Sequence, residues 1–308
     1  MILTATPAPA VDQTVHLDQL RLGEAQRVGP PVIRPGGKGI NVARVLASRG
    51  HAVRAVTTRG GAEGELLERT LSHLGVDARW VPVAAPTRRS TAWVEASGRT
   101  TVLNEQAGAW TEAECEAWLD SLTVAVEGAS AAALCGSWPA GAPAGWVSRS
   151  LEVLAAGGAY TVADTSGPLL LTAAAAGASL LKPNVEELAE ATGTTDVQAG
   201  LGILFGLGAQ AVLLSRGPDG MSHHTREDPA GLHARLDAVL TGNPTGAGDA
   251  AVAGWLSVVA PLGRAPLGAE RERALRTAVA WSASAVLAPV AGELTEDAER
   301  FMQRVQCG

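Results

Sequence analysis

Residues 131–164 read AAALCGSWPAGAPAGWVSRSLEVLAAGGAYTVAD. Ala131–Cys135 is a short continuous apolar run that stops at a Gly/Pro turn. Trp146–Ala156 then carries apolar residues at helical spacing, and Ala159–Asp164 is a second apolar run ending on a carboxylate. Run, turn, amphipathic stretch and run again is the pattern of a strand, a covering helix and a parallel strand. Working outward, Ser179–Lys182 and Ala211–Ser215 repeat the buried-strand pattern, and Val185–Thr192 repeats the helical one. These residues predict an α/β fold with a mainly parallel sheet covered on both faces. Open sheets of this kind bind ligands at the carboxyl ends of their strands. Asp164, Lys182–Asn184 and Ser215–Gly217 all fall at such ends.

The first hundred residues follow a different rule. Thr91–Glu95 and Thr100–Asn104 flank Ala96-Ser97-Gly98-Arg99, which predicts a hairpin, and Val11–Leu17 and Val32–Arg34 are candidates to join it in a small second sheet. The last third predicts two helices, Ala247–Val259 and Glu270–Leu287, separated by a loop at Pro261–Ala269, with the chain ending after them. No repeat or low-complexity linker interrupts the chain, so one domain spanning 1–308 is expected.

Composition narrows the function. Hydrophobic content of 46% and charged content of 18% describe an ordinary globular chain of 308 residues. Its 24 basic and 31 acidic residues leave a net charge of −7, which argues against nucleic acid or an anionic membrane as a partner. Cys115, Cys135 and Cys307 are too few and scattered for a disulfide framework or zinc site. With no signal-peptide pattern at the N-terminus and no apolar stretch of spanning length, a cytoplasmic protein is expected. Only two of the basic residues are lysines, Lys38 and Lys182, and both sit in Gly/Pro/Asn-containing turns shortly before an asparagine.

Three motifs carry chemistry. Pro35-Gly36-Gly37-Lys38-Gly39-Ile40-Asn41 opens an amphipathic helix, and its glycines let backbone amides and an ammonium reach a ligand. It is not a Walker A loop, since Gly39 follows the lysine; a plain turn with Asn41 at the helix start is the alternative. In Lys182-Pro183-Asn184-Val185-Glu186-Glu187-Leu188, Asn184 and Glu187 form either a capping box or a pair that holds the water shell of Mg²⁺. Asn243-Pro244-Thr245-Gly246-Ala247-Gly248-Asp249 precedes a helix, so its backbone N–H groups can cradle developing negative charge. Asp249 is then either an acid that complements the helix dipole or a general base. Gly246-x-Gly248-x-x-Ala251 also loosely fits a dinucleotide fingerprint, but no strand is expected after the last helices to complete that unit.

In this order and spacing, GGKGIN, KPNVEEL and NPTGAGD resemble the PfkB branch of the ribokinase family. Cys135-Gly136-Ser137-Trp138-Pro139-Ala140-Gly141, Asp164-Thr165-Ser166-Gly167 and Ser215-Arg216-Gly217-Pro218-Asp219-Gly220 resemble three further segments of that branch. The opening Met1-Ile2-Leu3-Thr4 through Asp12, with Arg27, is similar to the 1-phosphofructokinase and tagatose-6-phosphate kinase subgroup.

The resemblance implies a ribokinase-like three-layer α/β/α fold with a β lid drawn from segments within about 11–35 and 79–105. It implies an ATP- and Mg²⁺-dependent kinase of a ketohexose monophosphate, with fructose 1-phosphate foremost. Tagatose 6-phosphate, an unphosphorylated sugar or nucleoside, and a noncatalytic sugar-phosphate sensor are the alternatives. Asp249 would be the base and Gly246, Ala247 and Gly248 the anion hole. Asp12, Gly37 and Asn41 would hold the sugar, and Arg27, Lys38, Arg88 and Ser137 its phosphate. Lys182, Asn184, Ser215, Gly217, Gly220 and Gly248 would serve ATP, with Asn184 and Glu187 on Mg²⁺ through water. A homodimer through the lid is also implied. Ala8, Ser90, Gln106 and Ala107 depart from the subgroup pattern in the sugar half, and Arg216 departs in the nucleotide half.

Overall fold

The structure is a computed structural model that describes residues 1–143 and 145–308. The order of its elements positions every candidate side chain. The first part of the chain gives β1 (Ile2–Thr6), β2 (Ala10–Leu17), β3 (Val32–Gly36), α1 (Lys38–Ser48), β4 (Val53–Arg59), α2 (Gly61–Ser72), β5 (Asp77–Pro82), β6 (Arg88–Glu95) and β7 (Thr100–Asn104). The middle gives α3 (Glu112–Ala125), β8 (Ala131–Cys135), α4 (Gly145–Ala156), β9 (Tyr160–Asp164), α5 (Pro168–Ala175), β10 (Leu180–Leu181), α6 (Val185–Thr192) and α7 (Val197–Leu207). The last part gives β11 (Ala211–Ser215), β12 (Met221–Thr225), β13 (Leu232–Leu236), α8 (Ala247–Val259), α9 (Ala269–Val286), α10 (Ala298–Arg304) and β14 (Val305–Cys307).

A 10-stranded sheet runs in the order β14-β13-β12-β11-β10-β9-β8-β1-β4-β5. From β5 to β11 every pairing is parallel, whereas β11 through β14 pair antiparallel. Both faces of its centre are buried, which is why the strands read as unbroken apolar runs. Along β8, Ala131, Ala133 and Cys135 enter the core beneath α1, α8 and α9. Ala132 and Leu134, pointing the other way, enter the core beneath α3, α4 and α5. Ala211 and Leu213 against Val212 and Leu214 repeat the alternation on β11. Helices on both faces make the three layers.

The second sheet has 4 strands in the order β3-β2-β6-β7. Its β6–β7 hairpin turns at residues 96–99, as its sequence predicts, and β2 joins β6 in parallel, Asp12 opposite Ser90. One expectation fails: the chain does not end on two helices. α10 and β14 follow, and β14 pairs antiparallel with β13, Arg235 opposite Gln306. This strand lies at the far edge of the sheet, so it completes no parallel βαβ unit after Asp249. No helix among the described residues is long and apolar enough to cross a membrane.

Candidate functional site

Two cavities meet at the turn that starts α8. The first, of about 720 Å³, is lined by candidates from every motif: Asp12, Gly37, Lys38, Asn41, Arg88, Ser137, Lys182, Asn184, Glu187, Gly246, Gly248 and Asp249. Asp12 and Arg88 come from the small sheet. Lys38 and Asn41 come from the first turns of α1, and Asp249 from the first turn of α8. The second cavity, of about 370 Å³, carries no charged side chain. Gly217 and Gly220 line it, as do Pro244 and Ala247, whose chain neighbours Thr245, Gly246 and Gly248 line the first.

Asp249 is 6% exposed, and its Oδ2 accepts a hydrogen bond from Asn41 Nδ2 at 2.9 Å. Burial, then the nearby Asp164 carboxylate, pushes its carboxyl up to about 6, against the pull of Lys38, the Asn41 bond and Lys182. A buried carboxylate poised near neutrality, at a helix start where the Ala247 N–H is bonded to the Pro244 carbonyl at 3.1 Å but those of Gly248 and Asp249 are open, suits a general base better than a dipole-complementing acid. Gly246 has φ 83°, a left-handed conformation that L side chains rarely adopt, and so turns the backbone into the helix. At Gly248 a Cβ would sit 2.9 Å from Lys182 Nζ, so a side chain there would push that ammonium from its place beside the turn.

Asp164, at the carboxyl end of β9, is the hub that the candidate set lacked. It is fully buried, receives Lys38 Nζ at 2.7 Å, and lies 3.9 Å from Lys182 Nζ. Burial favours its neutral form, but Lys182 and Lys38 outweigh that and hold its carboxyl below the usual carboxylate range. Lys38 also reaches Glu187 Oε1 at 3.4 Å. Burial opposes the Lys38 charge, yet Asp164 and Glu187 more than offset it, and its ammonium is held above the usual range. One carboxylate, that of Asp164, holds both lysines.

The capping alternative for Asn184 and Glu187 is realised: Asn184 Oδ1 accepts from Glu187 N at 2.6 Å, and Glu187 Oε2 accepts from Asn184 N at 2.9 Å. Both still line the first cavity, with Glu187 Oε1 free of the cap. Asp12 is pushed up to about 7 by burial and by Asp249, against Arg88 and Arg44. Arg88 is aimed by the Ala8 carbonyl, 3.4 Å from Nε and 3.3 Å from Nη2.

Two expected residues are not brought in. Arg27 is exposed on the loop between β2 and β3 and lines a separate hollow with Arg21 and Gln26. Ser215 turns its Oγ to the Pro183 carbonyl at 3.4 Å and lines neither cavity at the α8 turn. Their residue types suit anions, but their positions follow from a long connection and a strand-end bridge that the motif alone does not resolve.

Comparison with known proteins places this geometry. Residues 6–298 match the model of the pfkB family carbohydrate kinases. The chain belongs to the PfkB family. This PfkB chain is thus a sugar kinase, a phosphotransferase. It is 34% identical over 263 residues to a 1-phosphofructokinase of Xanthomonas campestris pv. campestris, covering 82% of each chain. It is 33% identical over 310 residues to an ATP-dependent 6-phosphofructokinase isozyme 2 of Mycobacterium tuberculosis, covering 98% of this chain and 89% of that one. The fold superposes on phosphofructokinase-2 from Escherichia coli solved in complex with fructose-6-phosphate, with a TM-score of 0.86, 27% identity and 98% of each chain covered.

Beyond Asp164, the first cavity is also lined by Asn104, Gln106 and Trp138, to which the sequence reading gave no binding role. The Trp138 ring centroid lies 6.3 Å from that of Trp110, which ties the exit of β7 to the Ser137 loop. Also missed were the apolar walls Leu236–Gly242 and Val279–Val286 of the second cavity. Asp164 had signals, as a carboxylate at a ligand-binding strand end and in a segment resembling the PfkB branch, but neither gave it a role. The apolar walls had no signal, because core and ligand wall look alike in sequence.

Proposed function

We propose that the protein transfers the γ-phosphoryl group of ATP to a ketohexose monophosphate, with fructose 1-phosphate as the favoured acceptor and fructose 1,6-bisphosphate as product. The observation that carries this reading is the placement of Asp249. Its buried carboxylate stands where a cavity containing Arg88 and Lys38 meets one with no charge at all. An anionic sugar fits the first, where Lys38 and Lys182 already lean on carboxylates but the Arg88 guanidinium donates only to the Ala8 and Glu105 carbonyls and keeps its charge for a phosphate. A nucleotide base fits the second, and its phosphates would then run over Gly246–Gly248.

In this reading Asp249 takes the proton of the attacking hydroxyl while Asn41 keeps its carboxylate in line. The N–H groups at the start of α8 and the Lys182 ammonium meet the charge of the transferring group. Asp12 and Asn41 hold sugar hydroxyls, and Arg88, Lys38 and Ser137 its phosphate. A Mg²⁺ ion carried by the nucleotide fits the donor set. Asp164 Oδ2 is buried with no hydrogen-bond partner and faces the same cavity as Glu187, and Mg²⁺ needs only one or two carboxylates beside its waters. Such an ion would neutralise phosphate charge. Asn184 would enter only through a water on its capping oxygen.

The small sheet is proposed as a lid that excludes water during transfer, and as the contact of a homodimer. It and the β2–β3 loop leave Leu103 60% and Leu22 90% exposed. Arg27, outside its own cleft, takes part only if closure or a partner subunit brings a phosphate to it.

The testing experiment is ATP turnover against fructose 1-phosphate, fructose 6-phosphate, tagatose 6-phosphate, fructose and ribose. The M. tuberculosis relative is named for a 6-phosphate reaction, so the position of the phosphate is what the panel decides. Turnover confined to the unphosphorylated sugars would refute the proposal.

A further inference from the structure

Behind the Asn41–Asp249 pair lies a buried cation that the chemistry above leaves unused. The Arg44 side chain is 4% exposed on α1, one turn after Asn41. Its Nη1 donates to the carbonyls of Ala291 at 3.0 Å and Pro35 at 3.2 Å, and to Asn41 Oδ1 at 3.5 Å. Its Nη2 donates to Glu293 Oε1 at 3.2 Å, which also takes Arg34 Nε at 3.4 Å. Gly292 leaves the space: a Cβ there would lie 2.6 Å from Arg44 Nη1 and 2.8 Å from Asn41 Oδ1. Ala291 in turn packs on Gly246, where a Cβ would come within 2.9 Å of its own.

The carboxamide of Asn41 has one oxygen and one NH₂ group, and only one orientation donates to Asp249. A donor on the oxygen side selects that orientation. We infer that Arg44 is a positioning residue: with the Ala291–Glu293 segment it locks the Asn41 amide so that Nδ2 faces Asp249 Oδ2, and it ties that lock to the base of the small sheet through Pro35. The inference rests on the proposed function only in calling Asp249 the base. The lock itself is a matter of geometry.

The charges that bear on the pair are Asp164, Lys38 and Lys182 around Asp249, and Glu293, Arg34 and Asp12 around Arg44, with Arg88 on the other side of Asp12. Losing the Asn41 bond removes stabilisation of the ionised Asp249 carboxylate, so its titration midpoint must rise.

The test uses Arg44→Met and Gly292→Ala. The second leaves the buried charge in place and crowds the same two atoms, and because φ 75° at Gly292 also strains the backbone under any side chain, its melting temperature is read beside the midpoint. Arg34→Gln is the control, since Arg34 bonds Glu293 and the Ile33 carbonyl but neither Arg44 nor Asn41. Carboxyl ¹³C shifts in Asp-labelled protein, with the Asp249 signal assigned by its loss in Asp249→Asn, give the midpoint without any turnover. The expected result is an upward shift of about half a pH unit or more in Arg44→Met and Gly292→Ala, and little in Arg34→Gln. In parallel, kcat falls about tenfold with KM for ATP within about twofold. A lower melting temperature with the midpoint unmoved would reduce Arg44 to a core brace and overturn the inference. A moved midpoint alongside near-normal turnover of Asp249→Asn would leave the lock standing and sink the base assignment instead.

Discussion

The two cavities that share the turn at residues 243–249 recognise by different means. The larger works through side chains: Asp12, Lys38, Arg88, Asp164, Lys182, Glu187 and Asp249 all face it, and each charge leans on another. The smaller works through shape, with backbone and aliphatic groups such as Pro244, Ala247, Val279 and Val286. A charged cavity is specific but fragile, because removing one partner strands the rest in a poor solvent for ions. An apolar slot tolerates substitution as long as volume is kept. The departures from the subgroup pattern at Ala8, Ser90, Gln106 and Ala107 lie around the charged side, where each would change what the cavity accepts.

The sharpest way to break this contrast is at the base. Asp249→Asn is expected to lower kcat roughly 10²–10⁴-fold, about 3–5 kcal/mol, with the fold intact. In the unmodified enzyme kcat/KM should fall below about pH 6 as the Asp249 carboxyl takes its proton. Residual activity of the mutant should lack that limb. A mutant with near-normal kcat would return Asp249 to a helix-dipole role.

Asp164→Asn probes the mutual dependence of the charges. It leaves Lys38 and Lys182 without their shared partner and should cost about 3–5 kcal/mol in denaturant unfolding, the usual penalty for breaking a buried pair. The pH signs of the two carboxylates are opposite. The folded Asp164 carboxyl is held below its ordinary value, so its contribution is present above the unfolded value of 3.8 and is lost as pH falls through the lower folded value. The folded Asp249 carboxyl is raised, so its contribution is present below 3.8 and is lost as pH climbs towards about 6. An unfolding free energy of Asp164→Asn equal to that of the unmodified protein at pH 7 would mean that the lysines are satisfied elsewhere.

Arg88→Ala separates the halves more gently. A lost charge-assisted contact is worth about 1.5–3 kcal/mol, so KM for the sugar phosphate should rise roughly 10- to 100-fold while KM for ATP stays nearly level. Equal rises would put Arg88 on the wrong side of the site. Smallest of all, Ala283→Phe should fill the apolar cavity. Losing about 50 Å² of contact at about 25 cal/mol/Å² is about 1.3 kcal/mol, or roughly a tenfold rise in KM for ATP with the sugar-phosphate KM unmoved. If nucleotide binding is indifferent to that ring, the base sits elsewhere.

What the residues determined by themselves was local. β8, β11, α6 and α8 run over the residues their patterns predict, because a buried strand needs an unbroken apolar run and an amphipathic helix shows its period within a few turns. Asn41, Lys182 and Asp249 were legible as candidates because glycines and turns beside a polar group leave few other uses for it. The tertiary structure decided what those groups do to one another. Nothing near Asp164 in the chain shows that Lys38, 126 residues before it, and Lys182 both lean on it. Nor does any local signal show that Arg44 reaches Ala291 and Glu293 across 247 and 249 residues, or that Arg27 stays outside the cleft. Period and turn chemistry act over a handful of bonds. Burial and charge act over a few ångströms of space, and only the packed sheet brings such distant residues within that reach.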